Sequence, residues 1–90
     1  MKKEMEKEYI EREKKLIDIE YNFISDFIKI RRDADLTQQQ MADKANVIRT
    51  TVARIENLMT SPQLNTLIKL LEPIGYTIKI EPIDKNLNDK

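Results

Sequence analysis

The chain contains no cysteine, no histidine and no tryptophan, and only one glycine. Without cysteine it can form neither a disulfide nor a thiolate metal site. Without histidine it lacks the commonest general base and the commonest metal ligand, so neither an enzyme nor a metal or cofactor site is expected. One glycine and three prolines in 90 residues leave little material for a turn-rich β fold and favour helix. No apolar run approaches the roughly 18 residues that span a bilayer, and no signal-type apolar segment follows the charged start. The expectation is a small cytoplasmic domain with no membrane partner and no small-molecule ligand. Sixteen basic residues balance sixteen acidic ones, so no global positive field advertises a nucleic-acid partner. Aromatics make up 6% and are not spaced as stacking platforms, which argues against single-stranded RNA binding.

What the chain does have is patterned. Residues 1–20 carry thirteen charges, with opposite signs three or four positions apart, as in Glu4–Lys7, Glu8–Arg12 and Glu11–Lys15. Such pairs support an exposed helix by a few tenths of a kcal/mol each. Apolar residues are sparse before Leu16 and dense afterwards. The pattern predicts one helix that projects at its start, packs into the domain from about Leu16, and runs to about Ala34 without a proline or glycine to stop it.

The segment Leu36–Pro62, LTQQQMADKANVIRTTVARIENLMTSP, is the most informative part of the chain. Thr37 and Gln40 have the spacing of a capping box at the start of a helix over Gln38–Ala45, with Met41 and Ala42 facing inward. Asn46 sits where the chain must turn sharply and tolerates a left-handed backbone, and Val47 plugs the core behind it. A second short helix follows over Ile48–Asn57, with Val52 and Ile55 inward. A short helix, a tight break and a second short helix with polar residues on its opening turn describe a helix-turn-helix reader of the DNA major groove.

After a loop at 58–61, Pro62 lies near the start of a further helix carrying Leu64, Leu67, Ile68, Leu70 and Leu71, which ends by Pro73–Gly75. The period then changes. Tyr76, Ile78 and Ile80 alternate with Thr77 and Lys79 as in a half-buried strand, stopped by Pro82. A single strand cannot satisfy its own backbone groups, so it requires a partner: the same strand of a second copy, or a strand of another protein. The polar tail at 84–90 is expected to be disordered.

LTQQQMADKANV, the Arg49–Glu56 run RTTVARIE, and SPQLNTLIKLLEPIGYTIKI together resemble the Xre/Cro-type helix-turn-helix family over about residues 24–83. Within it, the run from Ser61 into an apolar strand and Pro82 is most similar to antitoxins of the host-inhibition-of-growth (HigA) type. The resemblance implies an all-α, lambda-repressor-like bundle of about five helices, with a long N-terminal helix and one C-terminal strand pairing between subunits. It divides the chain into a charged helical extension at 1–19, a DNA-binding domain at 20–75, a dimerisation strand at 76–83 and a tail at 84–90. It further implies an autorepressor that forms a homodimer on double-stranded operator DNA and neutralises a RelE/HigB-like messenger-RNA endonuclease toxin. The alternative is a phage- or mobile-element-type regulator with no toxin partner.

The expected DNA contacts follow from geometry. Ile48, Arg49, Thr50, Ala53 and Arg54 are placed to reach base edges. Thr37, Gln38, Lys44, Thr51 and Thr60 are placed to hold phosphates. Tyr9, Ile10, Leu16 and Ile17 are the expected toxin contacts, and Tyr76, Ile78 and Ile80 the dimer strand. By resemblance to related repressors, Arg31 and Glu56 form a structural ion pair. Two positions depart from the family pattern. Ile48 stands where a serine or threonine usually caps the recognition helix, a loss of about 1 kcal/mol. Leu58 replaces the usual glycine after it, so the left-handed stop is expected to be strained or absent.

Overall fold

A computed structural model describes residues 2–83, with side chains from Glu6 onward. In order these residues form α1 (Lys2–Asp33), α2 (Gln38–Ala45), α3 (Arg49–Glu56), α4 (Leu64–Leu71) and a 3-10 turn at Glu72–Ile74. The architecture is all-α, with four α-helices among the described residues where about five were expected. The expected strand at 76–80 is not formed within the single chain: residues 76–83 are non-helical and belong to no sheet. Beyond Tyr76, whose amide donates to the Leu71 carbonyl at 3.1 Å, that backbone finds no partner in the chain among the described residues. A solitary strand has no neighbour to pair with, so the alternation at Tyr76–Ile80 cannot become a ladder without a second chain. The expected tail at 84–90 lies outside the described residues.

The core is one cluster. Ile24 and Phe27 of α1 meet Met41, Ala42 and Ala45 of α2, Val52 and Ile55 of α3, and Leu67, Leu70 and Leu71 of α4. On α2 and α3 the buried positions are those expected at helical period. On α4 the stripe is narrower than the leucine spacing suggested, because Leu64 and Ile68 remain exposed. The first half of α1 also departs from expectation. Packing begins at Phe23 and Ile24, not at Leu16, and Leu16, Ile17, Ile19 and Tyr21 stay exposed. The domain is too small to reach them: α1, about 48 Å long at 1.5 Å per residue, overruns a bundle whose other helices have 8 residues each. The helix crosses position 19/20 without a break.

All four helical segments end in the same way. Asp35, Asn46, Leu58 and Gly75 each adopt a left-handed backbone. In each case the following amide reaches back five residues: Leu36 to Arg31, Val47 to Ala42, Met59 to Arg54 and Tyr76 to Leu71, at 3.0–3.2 Å. This is the Schellman closure, which satisfies carbonyls that a helix end would otherwise orphan. The chain thus makes four left-handed stops with a single glycine. Asp and Asn tolerate the conformation through their short polar side chains, whereas leucine has no such relief. At Leu58 the left-handed stop is present and carries strain.

Arg31 and Glu56 tie these elements together. Arg31 Nε and Nη2 donate to Glu56 Oε2 and Oε1 at 2.7 and 3.0 Å, a bidentate pair whose side chains are only 10% and 5% exposed. Arg31 Nη1 donates to the Leu36 carbonyl at 2.8 Å, closing the turn between α1 and α2. Among the described residues no buried side-chain nitrogen or oxygen lacks a partner. The contrasting pair, Lys29–Asp33 at 2.7 Å, is exposed on one helix face and contributes little.

Two outcomes are expected from urea unfolding. Glu56→Ala leaves a buried guanidinium unpaired and lowers stability by about 3–5 kcal/mol, while Arg31→Met with Glu56→Leu recovers most of it; equal losses in both variants would show that packing, not charge pairing, is at stake. Leu58→Gly raises stability by about 0.5–1 kcal/mol by relieving the left-handed stop, and a loss there would mean that the leucine side chain contributes more than the strain costs.

Candidate nucleic-acid interface

The capping box at the start of α2 is complete. The Gln40 amide donates to Thr37 Oγ1 at 3.0 Å, and the Thr37 amide donates to Gln40 Oε1 at 2.9 Å. The Thr37 hydroxyl oxygen is therefore the capping acceptor, and its own hydrogen is left to donate. Gln38, the next residue, is half-buried, and its Nε2 donates to Glu56 Oε1 at 3.0 Å. One of its two amide hydrogens is thus committed to the ion pair, which holds the side chain between the start of α2 and the end of α3. The Asn46 turn then sets α3 at a fixed angle to α2, and Val47 packs against the core as its anchor.

On α3 the residue types separate by face. Val52 and Ile55 are buried, and the Glu56 carboxylate is consumed by Arg31. At about 100° per residue, Arg49, Thr50, Ala53 and Arg54 fall within one arc of about 140° on the opposite side. Arg49, Thr50 and Arg54 are exposed, and Ala53 and Thr51 are half-buried. Ile48 caps the helix with an extended backbone (φ −82°, ψ 150°) and no side-chain hydrogen bond, and its side chain is 69% exposed. The Thr51 amide donates to the Ile48 carbonyl at 3.0 Å, whereas the Arg49 and Thr50 amides have no acceptor among the described residues.

A concave patch of about 230 Å³ flanks this arc, bounded by Thr50, Thr51 and Arg54 on one side and Thr60, Ser61 and Thr66 on the other. Its far wall is the loop before α4 and the first turn of that helix. Ser61, Gln63 and Thr66 were not among the residues expected from the sequence. The available signal was the S-P pair just ahead of a helix start, which directs free amides outward. Lys44, in the last turn of α2, is exposed. Between Thr37 and Gln63 the only charges are Asp43, Lys44, Arg49, Arg54 and Glu56. Glu56 is neutralised by Arg31, and Asp43 accepts from Gln39 Nε2 at 2.8 Å. The surface left is locally cationic on a chain with no net charge, and rich in hydroxyls. Such a surface can accept the edge of a polyanion without a global field.

The other expected positions lie apart from this face. Tyr9, Ile10, Leu16 and Ile17 are exposed on the outer half of α1. Of the strand residues, Ile78 is half-buried against the core, Tyr76 is exposed, and Ile80 is wholly exposed, so the three do not share one environment. Among the described residues there is no cluster of three potential metal ligands, and no helix is long and apolar enough to cross a membrane.

Comparison with known proteins agrees with this geometry. A family model described as Helix-turn-helix matches residues 28–80. An uncharacterised HTH-type transcriptional regulator from Haemophilus influenzae is 40% identical over 60 residues, a stretch covering 67% of this chain and 61% of that protein. The chain therefore matches less than two thirds of that relative's length. Among solved structures, a chain of a toxin-antitoxin module from Streptococcus pneumoniae superposes with a TM-score of 0.65 at 29% identity, over 81% of this chain and 80% of its own.

The uncapped start of α3 has a measurable consequence. Ile48→Ser supplies the missing acceptor and is expected to raise stability by about 1 kcal/mol in urea unfolding; no gain would mean that the leading amides are already satisfied by water at no cost.

Proposed function

The chain belongs to the Xre-type helix-turn-helix family, and from that premise we propose that it is a homodimeric operator-binding repressor that also serves as the antitoxin of a toxin–antitoxin pair. The observation that carries the DNA-binding half is the outward arc of α3, with Arg49, Thr50 and Arg54 exposed opposite the buried Val52 and Ile55. In the major groove Arg49 grips guanine O6 and N7 through two parallel hydrogen bonds, worth about 1–3 kcal/mol of discrimination. Thr50 offers its hydroxyl to a base or its methyl to thymine. Ile48 and Ala53 make apolar contact with thymine methyls, and Arg54 reads the far edge of the site. Thr37, Gln38, Lys44, Thr51 and Thr60 hold the flanking phosphates and set the register. Gln38 does so with its second amide hydrogen and the α2 amides, while its first stays on Glu56.

The strand at Tyr76–Ile80 pairs with its copy about a two-fold axis. Two recognition helices then address half-sites about 34 Å apart, one turn of duplex. The unpartnered backbone beyond Tyr76 supports this pairing.

Two observations support the antitoxin half. The chain is similar in structure to a component of a toxin-antitoxin module. The outer half of α1 also displays Tyr9, Ile10, Leu16 and Ile17 to solvent, a surface that a minimal repressor does not need. The partner in this reading is a RelE/HigB-like messenger-RNA endonuclease, bound while the DNA face remains free to repress the operon. A phage- or mobile-element-type regulator with no toxin partner would leave those four side chains without an occupant.

Binding titrations against the upstream duplex and a scrambled duplex test the DNA face. Arg49→Ala is expected to lose about 1–3 kcal/mol of discrimination between them. Lys44→Ala weakens both alike and lowers the salt slope by about 1. Selectivity unchanged by Arg49→Ala would reject the recognition-helix assignment. Co-expression with the protein encoded beside it tests the second half. The full chain restores growth, and a chain lacking residues 2–18 keeps operator binding but does not protect. Protection by the truncated chain would reject α1 as the toxin contact.

A further inference from the structure

The apolar stripe of α1 does not end where the domain ends. Phe23 and Ile24 pack against the core, and the same two rows continue outward with a spacing of seven, as Leu16 and Tyr9 in one and Ile17 and Ile10 in the other. Seven residues turn the helix to within about 20° of two full turns, so each row stays on one face. Outside the domain these four side chains are 53–65% exposed.

A third row runs between them. Glu6, Glu13 and Glu20 are also seven apart, all exposed, and the row enters the core as Phe27. Lys2 and Lys3 head the two apolar rows. From Glu6 to Ile30 no cation occurs on the stripe, and Lys7, Arg12, Lys14 and Lys15 fall on the other faces of the helix. Where the stripe meets the domain, Leu16, Ile19 and Phe23 face Leu64 and Ile78 across an open groove of about 390 Å³, with Glu20 on its wall.

We propose that this face docks an amphipathic helix of a different, basic protein. One of its large apolar side chains sits in the groove, and Lys or Arg residues seven apart pair with Glu6, Glu13 and Glu20. The inference rests on the antitoxin reading for the existence of a protein partner on α1, and it adds that partner's chemistry. A second copy aligned in parallel would set one glutamate row against the other, whereas a basic helix gives each glutamate a partner. A helix is favoured over a strand because a seven-residue repeat on one helix is matched by the same repeat on its neighbour, whereas a strand repeats every second residue.

The test uses the full chain and two synthetic helical peptides, one with leucines flanking lysines seven residues apart and a twin with glutamate for each lysine. In fluorescence anisotropy the lysine peptide is expected to bind at least about tenfold tighter than its twin. Glu6→Lys with Glu13→Lys and Glu20→Lys reverses the preference, Ile17→Asp weakens both peptides, and operator binding stays intact in both variants. Equal binding of the two peptides, or a preference that survives the triple reversal, overturns the proposal. A chain that keeps the peptide preference but protects against no toxin contradicts the antitoxin reading alone. Full protection by the triple variant contradicts the present inference alone.

Discussion

A guanidinium and a carboxylate buried against each other cannot part without leaving an uncompensated charge in a poorly solvated place. Arg31 and Glu56 therefore hold the end of α1 and the end of α3 at one separation. Through its third contact, to the Leu36 carbonyl, Arg31 also fixes the turn that feeds α2. Through Gln38, Glu56 fixes the start of α2 itself. Four points of the helix-turn-helix unit are thus set by two side chains. The gain lies more in geometry than in stability, because an apolar pair of the same volume would hold the core comparably. What an apolar pair would not do is specify the azimuth of α3, and the azimuth decides which of its residues look outward.

That constraint explains why the outward face of α3 was legible in the sequence. Once α3 is pinned at Glu56 and plugged at Val47, helical period places Arg49, Thr50 and Arg54 outward and Val52 and Ile55 inward, as the residue types had indicated. The capping box at Thr37 and Gln40 was legible for the same local reason, since its two hydrogen bonds need only a spacing of three. Local chemistry also marked Asn46 as a left-handed stop.

Less legible was whatever depends on a distant or absent surface. Leu16 reads as a core residue because apolar residues thicken there, yet the bundle is too short to cover it. Leu64 and Ile68 belong to a leucine-rich helix but lie on its uncovered flank. Tyr76–Ile80 alternates like a strand yet forms none within the single chain, which supplies no neighbour to pair with. The hydroxyl-lined wall at Ser61 and Thr66 was missed because its position depends on where the loop before α4 folds back.

The proposed function assigns the molecule two faces: a locally cationic one on α2 and α3 for DNA, and an acidic, apolar one on the outer half of α1 for a protein. NMR titration of the labelled chain with its operator duplex tests that division most directly. The account predicts amide shifts concentrated at residues 37–38, 48–54 and 60–63, with those of residues 6–20 unmoved. Shifts centred on residues 6–20, with α3 silent, would contradict it.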